Sequence, residues 1–130
     1  MSGFLLDASA VIAIGRGELD DLRERADAAT ICAITVCGLH HGVLAATREQ
    51  RPGRLALLAW VERTFRPVPI DERVAPAYGR LATAARTARR DVRRGTADLL
   101  IAATAETHGL TLLTRDEKLA RLPGLDVELV

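Results

Sequence analysis

The sequence predicts an α/β protein, a three-layer α/β/α sandwich around a mostly parallel central sheet. Three observations carry that expectation. Short apolar runs of strand length (GFLL, TICAI, LTLL, DVELV) alternate with longer segments of helical period, the pattern of βαβ units. The hydrophobic fraction is 48% but the aromatic fraction only 3%, so the core has to be built from Leu, Ala, Val and Ile rather than from rings. A length of 130 residues suits one domain, expected to span 1–130 with a single adequate core.

Taken in order, GFLL (3–6) is an apolar run that stops at Asp7, and ASAVIAI continues as a buried helix with Gly15 just past its end. Residues 18–27 are charged with Leu19, Leu22 and Ala26 on one side, an amphipathic helix. TICAI (30–34) is the next strand, and Thr35 is placed to cap the helix that follows. A capping box would have Glu or Gln three residues on. The chain has Gly38 there, which costs a helix interior about 0.8–1.0 kcal/mol relative to alanine.

RPGR (51–54) reads as a Pro-Gly turn before the helix LALLAWVERTF. RPVPI (66–70), with two prolines, is an extended piece and an edge strand at best. Asp71 can cap a long helix over 72–89. Thr96 then caps ADLLIAATAETH, which is apolar nearly all round, as a helix buried on both sides is, and which ends at Gly109. LTLL (110–113) is a strand, RDEKLARL a short helix, Pro123-Gly124 a turn and DVELV the closing strand.

Composition narrows the function. There is no run of 18 apolar residues and no basic leader before the first apolar stretch, so neither a membrane span nor a signal peptide is expected. Two cysteines, Cys32 and Cys37, are too few for a disulfide framework and lack partners at zinc-ligand spacing; a reduced, cytoplasmic protein with both thiols in the core is the expectation. Net charge is only +1, but Arg80, Arg86, Arg89, Arg90, Arg93 and Arg94 crowd one segment opposed by Asp91 alone. Such a cluster either holds phosphates or is simply a solvated helix face.

In open parallel sheets, sites form beyond the carboxyl ends of the strands. Asp7 directly follows the first strand, Asp116 comes shortly after LTLL, and Asp98 lies in the first turn of the apolar helix. Converging carboxylates repel and persist where a cation offsets them, and oxygen-only donors select hard ions such as Mg²⁺ or Mn²⁺. Each acid also has an ordinary structural explanation. Asp7 can cap the next helix, Asp98 and Asp116 suit the positive end of a helix dipole, and Thr114 with Glu117 matches a capping box.

The segments FLLDASAVIA, ITVCGLHHGV, ADLLIAATAETHGLTLLTRD and LPGLDVELV resemble those of PIN-domain proteins, specifically the VapC-type toxins of toxin–antitoxin pairs. The likeness runs the length of the chain, with residues 45–95 contributing little. It implies a Mg²⁺- or Mn²⁺-dependent endoribonuclease, usually a homodimer, restrained by a VapB-type antitoxin. Asp7, Asp98 and Asp116 resemble three of the family's catalytic, metal-holding acids, and Ser9 and Thr114 the small hydroxyl residues beside them. The fourth acid is a glutamate in a T-x-x-E-L-x-x-G-V setting, and here that position is Gly38. The residue missing from the capping box and the missing carboxylate are therefore the same. This implies a weakened or inactive nuclease, or a PIN module that only binds antitoxin or RNA.

His41 lies nearer than His40 to the direction of Gly38, but imidazole is a poor partner for a hard ion, so packed or solvent-facing roles are expected for both. Arg89, Arg90, Arg93 and Arg94 lead into the Asp98 helix and are the candidates for contact with RNA or antitoxin. A receiver-like phosphoacceptor domain is disfavoured, because the only lysine, Lys118, follows Asp116 rather than ending a late strand.

Overall fold

A computed structural model describes residues 3–24, 28–89 and 95–130. In chain order its elements are β1 (Phe4–Leu6), α1 (Ala8–Gly15), α2 (Asp20–Glu24), β2 (Ala29–Ile31), α3 (Ala33–Ala45) and α4 (Arg51–Thr64). A 3₁₀ turn (Glu72–Val74) then leads into α5 (Ala75–Thr87), followed by α6 (Thr96–Thr107), β3 (Thr111–Thr114), α7 (Glu117–Ala120) and β4 (Val127–Leu129).

The four strands form one sheet in the order β2-β1-β3-β4, and every pairing is parallel. Leu5 lies opposite Thr30 and Leu112, and Leu6 opposite Ile31 and Leu113. Because strand side chains alternate between faces, this register sends Leu5 and Leu112 to one side and Leu6, Ile31 and Leu113 to the other. The first set packs with Leu81 and Ala85 of α5, Leu99 and Ala103 of α6 and Leu119 of α7. The second packs with Val11 and Ile14 of α1 and Val61 of α4. Two apolar clusters back to back on one parallel sheet are the expected three layers, and each fully buried leucine contributes about 1.5–3 kcal/mol. Of the four aromatic residues, Trp60 and Phe65 meet edge to face at 5.4 Å beside the second cluster.

Several local expectations change. Pro52 and Gly53 do not make a turn; they open α4, where proline's missing N–H would be unpaired in any case. The true break is Thr47–Gln50, whose side chains and amides bond reciprocally at 3.2 and 3.3 Å. That is the capping-box pattern, and it outweighs the Pro-Gly signal that follows it. Cys32, not Thr35, is the N-cap of α3; the Thr35 amide donates to the Cys32 carbonyl at 2.9 Å, and its hydroxyl is buried without a partner among the described residues. Gly95 rather than Thr96 caps α6, and Asp116 rather than Thr114 caps α7.

The long helix over 72–89 is a 3₁₀ turn capped by Asp71, then α5 with Pro76 in its first turn. The glycine past the end of α1 is Gly17, at φ 73°, whereas Gly15 is its last residue. A Cβ on Gly15 would come within 2.7 Å of Leu57. RPVPI adds only a single bridge, Cys32 to Val68. Cys32 is buried as expected, but Cys37 is exposed on α3. No helix among the described residues is long and apolar enough to cross a membrane.

Candidate active site

The parallel register places the ends of β1 and β3 side by side, and the chain leaves both strands through acids. The Asp7 amide continues the ladder by donating to the Leu113 carbonyl at 3.1 Å. Its side chain, 3% exposed, then turns back to cap α1: Oδ1 accepts from the Ala10 amide at 2.9 Å and from Ser9 Oγ at 2.6 Å. Oδ2 accepts from the hydroxyl of Thr114, the last residue of β3. These donors satisfy the hydrogen-bonding capacity of a carboxylate this buried.

Thr114 is wholly buried, and its oxygen also accepts from the Asp116 amide at 2.9 Å. One hydroxyl thus ties the two strand-end acids together. Asp116 in turn accepts from the Lys118 amide at 2.8 Å as the cap of α7, and the Ser9 hydroxyl accepts from the Arg115 amide at 3.1 Å. The ordinary explanation of Asp7 and Asp116 as helix caps is therefore realised together with their proximity.

Asp98 reaches this corner from the first turn of α6. Its carboxyl is held above the usual carboxylate range by partial desolvation first, then by the negative charges of Asp7 and Asp116. The three sequence-predicted acids, with Ser9 and Thr114, accordingly belong to one electrostatic neighbourhood at the carboxyl end of the sheet.

Gly38 does not join this hydrogen-bond network. It is exposed on α3 and borders a separate depression of about 490 Å³ between α1, α3 and α4, with Arg16, Gly42 and Arg54 nearby. An added Cβ at Gly38 would meet nothing within 4 Å, so a longer side chain is sterically free there. Both histidines on α3 are exposed; His40 Nε2 lies 3.8 Å from Glu62 of α4. Of the arginine candidates, Arg89 borders the depression that contains Asp98 and Asp116, while Arg90, Arg93 and Arg94 lie outside the described residues.

The donors at the corner are all oxygens, the chemistry that suits a hard divalent cation, and the repulsion raising the proton affinity of Asp98 is what such a cation would relieve. Among the described residues, no group of three or more His, Cys, Asp or Glu side chains has the spacing of a metal centre. Bringing three carboxylates onto one ion therefore requires side-chain movement.

Fold and corner together define an α/β protein with acids at the carboxyl ends of adjacent parallel strands. A model of the PIN domain matches residues 4–125. The chain is 32% identical over 123 residues to ribonuclease VapC4 of Mycobacterium tuberculosis, covering 95% of this chain and 93% of that one. It is 33% identical over 128 residues to ribonuclease VapC1 of Rickettsia felis, covering 96% and 94%. A solved structure of VapBC-5 from Mycobacterium tuberculosis, a member of the VapBC family of toxin–antitoxin systems, aligns with a TM-score of 0.76 at 34% identity, over 99% of this chain and 97% of that one. The chain belongs to the PIN-domain family, within its VapC group.

Proposed function

We propose that this chain is the ribonuclease toxin of a VapBC-type pair, a cytoplasmic endoribonuclease whose acids work with Mg²⁺ or Mn²⁺ and whose activity is reduced by Gly38. The observation that carries the reading is the tie of Asp7 to Asp116 through the buried Thr114 hydroxyl, with Asp98, 91 and 18 residues from them in the chain, near enough to feel the negative charge of both. Similarity to named VapC ribonucleases and to a VapBC structure supports the reaction class and a VapB-type antitoxin as partner. A homodimer is proposed on the same likeness, with the exposed Leu55 of α4 a candidate contact.

In this reading Asp7, Asp98 and Asp116 would hold the ion. A divalent ion at that position supplies positive charge against a phosphate and Lewis acidity toward water. The chain's own residues do the positioning. Asp7, fixed by the Ala10 amide and two hydroxyls, is a rigid anchor, and Asp116 is fixed relative to it through Thr114. Asp98 completes the set or orients the attacking water. Ser9 and Thr114 keep the Asp7 oxygens aimed.

The family's fourth acid is absent at Gly38, which weakens ion affinity and the alignment of the nucleophile. The same glycine favours a second reading, a PIN module that binds antitoxin or RNA without cutting. Cleavage of RNA by the chain and by Gly38→Glu, each with Mg²⁺ or Mn²⁺, tests both readings. The first expects the variant to cleave orders of magnitude faster. Equal rates would defeat the role given to Gly38, and no cleavage by either form would leave the binding module.

A further inference from the structure

We infer that Arg115 and Glu18 are a positioning pair for the acid corner: their ion pair pins the turn that carries Thr114 and Asp116 against both ends of α1. That the corner holds a divalent ion rests on the reading above.

β3 ends at Thr114, and each residue from 114 to 116 is bonded into the corner. The Thr114 hydroxyl donates to Asp7, the Arg115 amide donates to the Ser9 hydroxyl at 3.1 Å, and the Asp116 amide donates to the Thr114 oxygen at 2.9 Å. Ser9 lies in the first turn of α1, and its hydroxyl donates in turn to Asp7 Oδ1 at 2.6 Å. Through its backbone, Arg115 therefore helps to aim the buried acid. Its side chain goes elsewhere. The guanidinium pairs with Glu18, just past the last turn of α1, with the two side chains 40% and 39% exposed. One residue thus grips α1 at its start through an amide and at its end through a guanidinium.

Glu18 is itself fixed by the backbone. Gly17 takes φ 73°, its amide donates to the Ile14 carbonyl at 3.0 Å, and the Glu18 amide donates to the Ala13 carbonyl at 3.0 Å. Those two bonds are the Schellman closure of a helix, in which the residue after the glycine commonly packs an apolar side chain back onto the helix. Here that residue is a glutamate, and its carboxylate is turned to Arg115 instead. An ion pair this exposed adds little to global stability. Its effect is local, because outer partners of this kind set ion affinity by orienting the side chains that bind.

Arg115→Gln separates positioning from simple electrostatics. Removing a cation beside the acids should tighten a divalent ion if only charge matters, whereas loss of positioning should weaken it. The full chain is titrated with Mn²⁺, and the free ion is read by electron paramagnetic resonance. Arg115→Gln and Glu18→Gln are both expected to bind about three- to tenfold more weakly, less than the roughly ten- to hundredfold usual for partners bonded directly to a ligand. Arg115→Lys keeps a cation for Glu18 and should stay nearer the parent than Arg115→Gln. Tm should remain within about 2 °C of the parent in all three. In EDTA, hydrogen exchange at the Arg115 and Asp116 amides should quicken about threefold or more in both Gln variants, while Leu112 and Leu113 keep their rates.

Tighter or unchanged Mn²⁺ binding by Arg115→Gln would overturn the role of the pair, as would unchanged exchange at Arg115 and Asp116. If the parent chain binds no Mn²⁺ at all, the ion reading fails, and the exchange rates in EDTA still decide whether the pair holds the turn.

Discussion

Position 38 offers a sharp test, because the structure separates its helical cost from its chemical role. Gly38 is the sixth of thirteen residues in α3, exposed, and a Cβ there touches nothing within 4 Å. Gly38→Ala should therefore recover nearly the whole propensity difference, about 0.8–1 kcal/mol, with no strain to offset it. For a chain of this size that is a rise in Tm of roughly 3–5 °C. Glutamate is almost as good a helix former, so on propensity alone Gly38→Glu should gain nearly as much.

The two variants part if position 38 faces the acids. A fourth carboxylate about 8 Å from another repels it by roughly 2 kcal/mol at an effective dielectric of about 20, and by less where water screens it. That repulsion consumes the propensity gain. In chelator the expected order of Tm is Gly38→Ala highest, with Gly38→Glu at or below the parent chain. Saturating Mn²⁺ should then raise Gly38→Glu more than Gly38→Ala. If the extra ligand tightens the ion tenfold, the added stabilisation at a fixed ion concentration well above both dissociation constants is about 1.4 kcal/mol. Differential scanning fluorimetry of the three proteins with EDTA and with MnCl₂ reads both effects. If Gly38→Glu matches Gly38→Ala in chelator and gains no more from Mn²⁺, position 38 does not face the acids and the explanation of reduced activity fails.

Other substitutions probe the corner from different sides. Asp98→Asn removes the carboxyl whose charge Asp7 and Asp116 oppose, so the metal-free protein should melt higher while its response to Mn²⁺ shrinks; a lower metal-free Tm would contradict the repulsion. Thr114→Val keeps the shape of a wholly buried residue but removes the hydroxyl that Asp7 accepts from, and should cost about 1.5–3 kcal/mol in denaturant unfolding. Thr114→Ser, which keeps that hydroxyl, should retain more of the Mn²⁺ response than the Val variant; equal responses would remove Thr114 from the positioning role. Arg93→Glu with Arg94→Glu should weaken RNA binding and flatten its salt dependence, and an unchanged slope would strike these arginines from the RNA contacts.

What the sequence discloses about the site follows from where acids interrupt apolar runs. GFLL stopping at Asp7, and LTLLTRD passing through Thr114 to Asp116, mark strand ends directly, because a buried parallel strand cannot carry a carboxylate in its middle. The spacing of Asp98 within ADLLIAATA fixes it in a first turn. The double duty of Thr114 was not legible, since it depends on β1 and β3 being neighbours with Leu6 opposite Leu113, a pairing across more than a hundred residues. Local punctuation misled where two signals competed, as with Pro52-Gly53 against the Thr47–Gln50 box. Cys32 displaced Thr35 as a cap because the bridge to Val68 holds the chain extended through residue 32. Ala84, Ala88, Leu119 and Leu122, which line the depression beside Asp98 and Asp116, had no sequence signature of their own, being small and apolar residues in ordinary helical positions.

The central claim is that three acids distant in sequence act together on one hard cation. Anomalous diffraction from a crystal soaked in MnCl₂ tests it most directly. A manganese peak bonded to oxygens of Asp7, Asp98 and Asp116 is the predicted result; manganese bound elsewhere, with these three side chains left in hydrogen bonds to protein and water, would contradict it.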